Sequence, residues 1–162
     1  MLTGCKNTGK VSVDTTAVGK IWSGEYVGAA GVACRVFGVK RCSNSGAVSY
    51  KGVGGVFGYL DAGKKAVSGL YNTGKVTGGG ESKASSASIA GYYEVPYNKN
   101  TVNNTYYTSG RGIVNALYNK SQQAKPKKVS LVTSKNCPGL TSKYWTYSSK
   151  YKRMVLKNKK EF

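Results

Sequence analysis

Apolar and polar positions alternate in short runs over the first two thirds of the chain, and glycine brackets most of the runs. The clearest stretch, Val53 to Gly78, reads VGGVFGYLDAGKKAVSGLYNTGKVTG. It holds an apolar run (Val53 to Tyr59), a polar turn, a second alternating run (Ala66 to Tyr71), then Asn72-Thr73-Gly74 and a third alternation, Lys75-Val76-Thr77. A period of two with turn residues between the runs predicts strands, here three strands and three corners.

The corner recurs. Asn7-Thr8-Gly9-Lys10-Val11, Asn44-Ser45-Gly46-Ala47-Val48 and Asn72-Thr73-Gly74-Lys75-Val76 share the pattern Asn-[Thr/Ser]-Gly-x-Val, and the residue two before each Asn is Cys5, Cys42 or Leu70. The corner glycines are 37 and then 28 residues apart, and a looser fourth corner, Thr108-Ser109-Gly110, follows after 36. A repeat of this length built of strands predicts a solenoid, whose units bury their apolar sides only by stacking. Asn7, Gly9, Asn44, Gly46, Asn72 and Gly74 are the predicted turn residues. Asn and Gly tolerate positive φ, and asparagines stacked in register hydrogen-bond along the column. Val56, Val67, Leu70 and Val76 are the expected inward residues.

The expected architecture is therefore all-β: a β-solenoid of about three to four imperfect rungs over residues 1–112, with a small basic C-terminal cap or tail over residues 113–162. Val27 to Tyr50 forms the second copy, with Gly28-Ala29-Ala30-Gly31 set against Gly54, Gly55, Val56 and Gly58 with one residue missing. Ala87 to Gly112 forms a degraded fourth copy, in which Ile89 to Tyr93 answers Val56 to Tyr59 and Val102 to Tyr106 answers Val67 to Tyr71. Asp14 to Tyr26 reads as an insertion whose Trp22 covers the end of the stack, and Gly79 to Ser86 as a surface loop. Beyond the repeats, Ile113 to Gln123 has helical spacing, Ser121 to Lys128 reads as a linker, and Val129 to Thr133 and Tyr151 to Leu156 read as strands.

Composition narrows the chemistry. The chain has 162 residues, 22 glycines, 13 tyrosines and 3 prolines, and no apolar window reaches the 18 or so residues of a membrane-spanning helix, so membrane insertion is not expected. It has no histidine, which removes the Ser-His-Asp triad, the Cys-His pair and His-ligated metal. The cysteines, Cys5, Cys34, Cys42 and Cys137, have no zinc spacing; Cys5 and Cys42 fit as small buried hydrophobes at one repeat position. On adjacent rungs their Cα atoms would lie about 4.8 Å apart, within disulfide range, although stacked side chains seldom meet the required torsion. The six carboxylates, Asp14, Glu25, Asp61, Glu81, Glu94 and Glu161, fall at no shared repeat position on this reading. Asp61 beside Lys64 and Lys65 is the one local acid–base candidate, and a solvated turn explains it as well. No enzyme, cofactor or metal is expected.

Charge is the remaining signal: 25 Lys and Arg against 6 Asp and Glu, a formal +19. Twenty-one of the 22 glycines lie in residues 1–112, whereas residues 113–162 carry twelve basic residues against Glu161 alone. Candidate polyanion contacts are Lys125, Lys127, Lys128, Lys150, Lys152, Arg153, Lys157, Lys159 and Lys160, with Tyr144, Trp145, Tyr147 and Tyr151 available for stacking.

Gly55-Val56-Phe57-Gly58, preceded by Val53-Gly54 and followed by Val67 to Val76, resembles the GLUG motif repeats of large bacterial surface and secreted proteins, and the resemblance covers residues 1–112. The Leu140 to Leu156 stretch, with Trp145-Thr146-Tyr147 and Val155-Leu156, looks like the segment that closes such arrays. The resemblance implies a right-handed β-helix-like stalk, displayed outside the cell and without catalytic residues of its own. The absence of a signal peptide and a start inside a repeat suggest a fragment. The expected function is a non-enzymatic structural or adhesin-like module, whose partners would be a host or wall glycan or another surface protein. The alternatives are a polyanion-binding module, for anionic glycan, wall polymer or nucleic acid, and a fragment of a secreted peptidase or glycan-active protein whose catalytic domain lies elsewhere.

Overall fold

The computed structural model describes residues 2–12, 30–36, 38–49, 54–61, 67–77, 87–94, 102–112 and 126–157. The fold is all-β, with no helix among the described residues. The first copy contributes β1 (Leu2–Thr3), β2 (Lys6–Asn7) and β3 (Val11–Ser12). The second contributes β4 (Ala33–Val36), β5 (Val39–Lys40), β6 (Ser43–Asn44) and β7 (Val48–Ser49). The third contributes β8 (Phe57–Asp61), β9 (Val67–Asn72) and β10 (Val76–Thr77), and the fourth β11 (Ala90–Glu94) and β12 (Val102–Tyr107). Three more strands follow: β13 (Lys127–Lys128), β14 (Trp145–Ser148) and β15 (Arg153–Leu156).

Equivalent strands pair in parallel and in register. One three-stranded sheet runs β4–β8–β11, another β3–β7–β10, and a seven-stranded sheet runs β1–β5–β9–β12–β13 with β2 and β6 continuing alongside. Leu2 stands beside Val39, Val39 beside Val67 and Val67 beside Val102. In the neighbouring sheet Ala33, Phe57 and Ala90 align, so one ring sits between two methyl groups and each layer fills what the other leaves. Their side chains, with Val36, Val39, Cys42, Val56, Val67, Leu70 and Ile89, form one core. Val76, expected inside, is only half-buried: among the described residues it has a strand neighbour on one side alone, whereas Val48 between two strands is fully buried.

Val67 and Leu70 both face this core although they stand three residues apart, which a straight strand forbids. The extra residue is absorbed at Gly69, whose φ is +69°. The same step occurs at Gly4 (+73°), Arg41 (+57°) and Asn104 (+51°), each following a residue paired in register, Thr3, Lys40, Ser68 and Asn103. A bulge-like step, shared by every strand rather than inserted into one, is thus repeated in four copies. Positive φ was expected at the corner glycines instead. Gly9, Gly46 and Gly74 do not adopt it; Gly46 and Gly74 are needed because a Cβ on Gly46 would overlap the Gly9 carbonyl oxygen, and one on Gly74 the Gly46 carbonyl oxygen.

Register also corrects two sequence alignments. Ala30 pairs with Gly54, Gly31 donates its amide to the Gly55 carbonyl and Ala33 aligns with Phe57, so no residue is missing at the glycine pair; the second copy is shorter further on, where Val36 aligns with Leu60 but Val39 with Val67. Asp61 and Glu94 are register partners, so two carboxylates do share a repeat position.

The C-terminal region departs from expectation as well. Lys127 and Lys128, read as linker, pair with Tyr106 and Tyr107 at the edge of the large sheet, and Val129 to Thr133 is irregular chain. Trp145 opens an antiparallel hairpin whose register joins Trp145 to Leu156 and Ser148 to Arg153. The C-terminal region does not close the last copy alone: the hairpin contacts copies two and three, and Gly139 before it contacts copy four. The predicted helix over Ile113 to Gln123, the Asp14 to Tyr26 insertion and the Gly79 to Ser86 loop lie outside the described residues.

Candidate functional site: the asparagine column, the hairpin flank and the basic surface

The predicted turn residues come together in one column. Asn7 donates from Nδ2 to Asn44 Oδ1 at 2.8 Å, and Asn44 from Nδ2 to Asn72 Oδ1 at 2.8 Å. Each Nδ2 also donates to the carbonyl two residues on, in Gly9, Gly46 or Gly74, and each Oδ1 accepts that glycine's amide. Asn44 and Asn72 are buried with their amide hydrogen bonds satisfied. Their side chains occupy space that glycines leave open: a Cβ on Gly31 would overlap Asn44, and one on Gly55 would overlap Asn72. In the fourth copy Tyr107 replaces the asparagine and Ser88 follows the bridge residue Ala87, as Gly55 follows Gly54. Ser88 there spends its hydroxyl on the Ser109 carbonyl.

Opposite the repeat core, the large sheet and the hairpin enclose a second core of Tyr71, Tyr106, Val129, Val132, Cys137, Leu140, Trp145, Met154 and Leu156. Tyr71 lies against Trp145 with ring centroids 5.4 Å apart, and its hydroxyl donates to the Met154 carbonyl at 2.5 Å. Tyr106 accepts the Gly139 amide at 3.0 Å. Arg153 reaches the second copy, donating to Ser45 Oγ at 2.9 Å, and the Arg41 guanidinium stacks 4.0 Å over the Tyr144 ring. Burial raises the Tyr71 and Tyr106 hydroxyls above the ordinary tyrosine range. Lys143, with Arg41 behind it, lowers Tyr144 below it. Burial also pushes the Cys42 thiol up to about 12 and the Cys137 thiol up to about 11. Cys5 and Cys42 are both free thiols.

The candidate polyanion contacts differ in exposure and in what they touch. Lys127 and Lys128 are exposed on β13; Lys150 and Lys152 are exposed at the hairpin turn, with Tyr147 on β14 and Tyr151 in the turn also exposed. Arg153 is committed to Ser45 and lies 5.1 Å from the Tyr151 ring, and Lys157 is half-buried with its amide on the Tyr144 carbonyl. Lys125, Lys159 and Lys160 lie outside the described residues. Sequence reasoning missed Arg41 altogether; its signal was a non-glycine at a position that is glycine in copies one and three. Among the described residues no group of acids and cysteines is arranged to hold a metal ion.

Comparison of the chain with protein-family models, with curated proteins and with solved structures finds no match.

Proposed function

We propose that residues 1–112 form a short parallel β-solenoid related to GLUG repeats, and that the module is a non-enzymatic structural or adhesive element of a bacterial cell-surface or secreted protein. The observation that carries this reading is the in-register stacking of equivalent residues from successive copies, with the Asn7–Asn44–Asn72 amide ladder at its centre. Such a stack can be extended by adding copies, which suits a part whose task is to hold a surface at a distance. A duplication of residues 45–72 inserted after Asn72 tests it. The longer chain is expected to fold cooperatively and to lengthen by one strand spacing, about 4.8 Å, in small-angle scattering; an unfolded product removes the solenoid reading. Antibody labelling of intact cells making the parent protein tests the location, and labelling only after lysis removes the surface assignment.

A second reading, a polyanion-binding module, is favoured by the exposed Lys150, 5.5 Å from the exposed Tyr151 ring, with Lys152 in the same turn and Lys127 and Lys128 exposed on β13. Lysines near aromatic rings attract phosphate or sulfate polymers and release counterions on binding. Heparin retention falling steeply as salt rises supports this reading; retention indifferent to salt removes it.

A further inference from the structure

Between the bulge column and the hairpin lies an open cleft of about 440 Å³. We propose that it binds an acidic sugar unit, a ring rich in hydroxyls that carries a carboxylate. The inference deepens the adhesive reading by naming a ligand class, and it rests on that reading only for its biological setting.

The cleft owes its shape to the repeated bulge. Thr3, Lys40 and Ser68 are register partners on three copies, and Arg41, Gly69 and Asn104 follow at the positive-φ step. Four copies side by side span three strand spacings, about 14 Å. The opposite wall is the hairpin flank, with Gly139, Tyr144 and Trp145. Gly69 leaves room beside Arg41, whose Cγ lies 3.6 Å from where a Gly69 Cβ would stand.

Its electrostatics are one-sided. Lys40 and Arg41 line the cleft, and none of the described lining residues is acidic. Arg41 is held over Tyr144, yet its Nε is buried and has no hydrogen-bond partner. A charged donor buried without an acceptor is costly, and a shift of the side chain that brings it to an oxyanion in the cleft recovers a charge-assisted hydrogen bond. Thr3, Ser68 and Thr141 supply hydroxyls and Asn104 an amide around it, the donors and acceptors that a sugar ring's own hydroxyls require. The volume, about 440 Å³, is that of a small-ligand site.

Titration calorimetry of the full chain with glucuronate, glucose and inorganic phosphate tests the proposal. Saturable glucuronate binding is expected, with glucose and phosphate each weaker by about tenfold or more, the worth of one charge-assisted contact. Arg41→Gly places at this step the residue that copies one and three already carry, so it suits the backbone while removing the guanidinium; glucuronate affinity should fall at least about tenfold. Lys40→Gln gives a second reading should the first variant misfold, with a loss of about threefold. The double variant Lys150→Ala, Lys152→Ala should weaken heparin retention and leave glucuronate binding unchanged, which separates this site from the basic surface. The proposal is overturned by absent glucuronate binding, by equal binding of phosphate or glucose, or by folded Arg41→Gly and Lys40→Gln variants that bind as the parent does.

Discussion

Asn44 and Asn72 share a side-chain hydrogen bond, Nδ2 to Oδ1 at 2.8 Å, inside a body that leaves neither exposed. Asn44 also accepts from Asn7 and bonds both polar backbone groups of Gly46. Asn44→Ala therefore strands several groups at once, and at about 1 to 3 kcal/mol per buried orphan the loss should reach about 2 to 4 kcal/mol. Asn7 ends the column and is half-exposed, so water replaces its partners and Asn7→Ala should cost less than about 1 kcal/mol. Urea denaturation of the two variants measures the difference; equal losses would show that the ladder carries no stability.

The corner glycines differ in the same way for a steric reason. A Cβ on Gly46 overlaps the backbone of Gly9, whereas one on Gly9 meets only Asn7 Oδ1 at 3.7 Å, an ordinary contact. Gly46→Ala must push two copies apart, an overpacking cost of about 1 to 3 kcal/mol or more. Gly9→Ala should be neutral within about 0.5 kcal/mol. Thermal melts that rank the two variants the other way would contradict the stacking of these corners.

Most of the parallel pairing was legible in the sequence because a parallel ladder repeats its chemistry. Asn at 7, 44 and 72 recur because each side chain hydrogen-bonds the equivalent one above, and Gly at 46 and 74 because no side chain fits. The bulge was not legible, since Gly4, Arg41, Gly69 and Asn104 share a backbone angle and no side-chain type. The second-copy alignment failed on Ala30-Gly31 because glycine pairs were matched by identity, whereas register is fixed by which residue must make way for Asn44. The hairpin's place was hidden too: Tyr71 looks like any strand tyrosine until Met154, 83 residues later, accepts its hydroxyl.

That hydroxyl supports a third prediction. Tyr71→Phe keeps the ring against Trp145 and removes the bond to the Met154 carbonyl, leaving a buried acceptor unpaired at about 1 to 2 kcal/mol. The loss should be local. Amide exchange should quicken in Trp145–Ser148 and Arg153–Leu156 before it changes in β5 and β9. Uniform quickening across all of these strands would mean that hairpin and stack open as one unit.

The pH dependence follows from the thiols. With no histidine in the chain, no side chain has its ordinary titration between about pH 6 and 8, so stability should be level there. Burial holds Cys42 protonated up to about 12 and Cys137 up to about 11, against an ordinary value of 9.0. Above pH 9 the unfolded chain releases these protons while the folded chain keeps them, so raising the pH favours unfolding. The stability that neutral thiols contribute is complete below pH 9 and is lost as pH climbs towards 11 to 12. From pH 9 to 10 each thiol should remove about 1 kcal/mol, in a range where most lysines still carry their charge. Cys42→Ala with Cys137→Ala should lower stability at pH 8, through the cavities left, and flatten its fall between pH 9 and 10. A slope unchanged by the double substitution would place the alkaline transition on other groups, with the raised Tyr71 hydroxyl, buried against the hairpin, the next to examine.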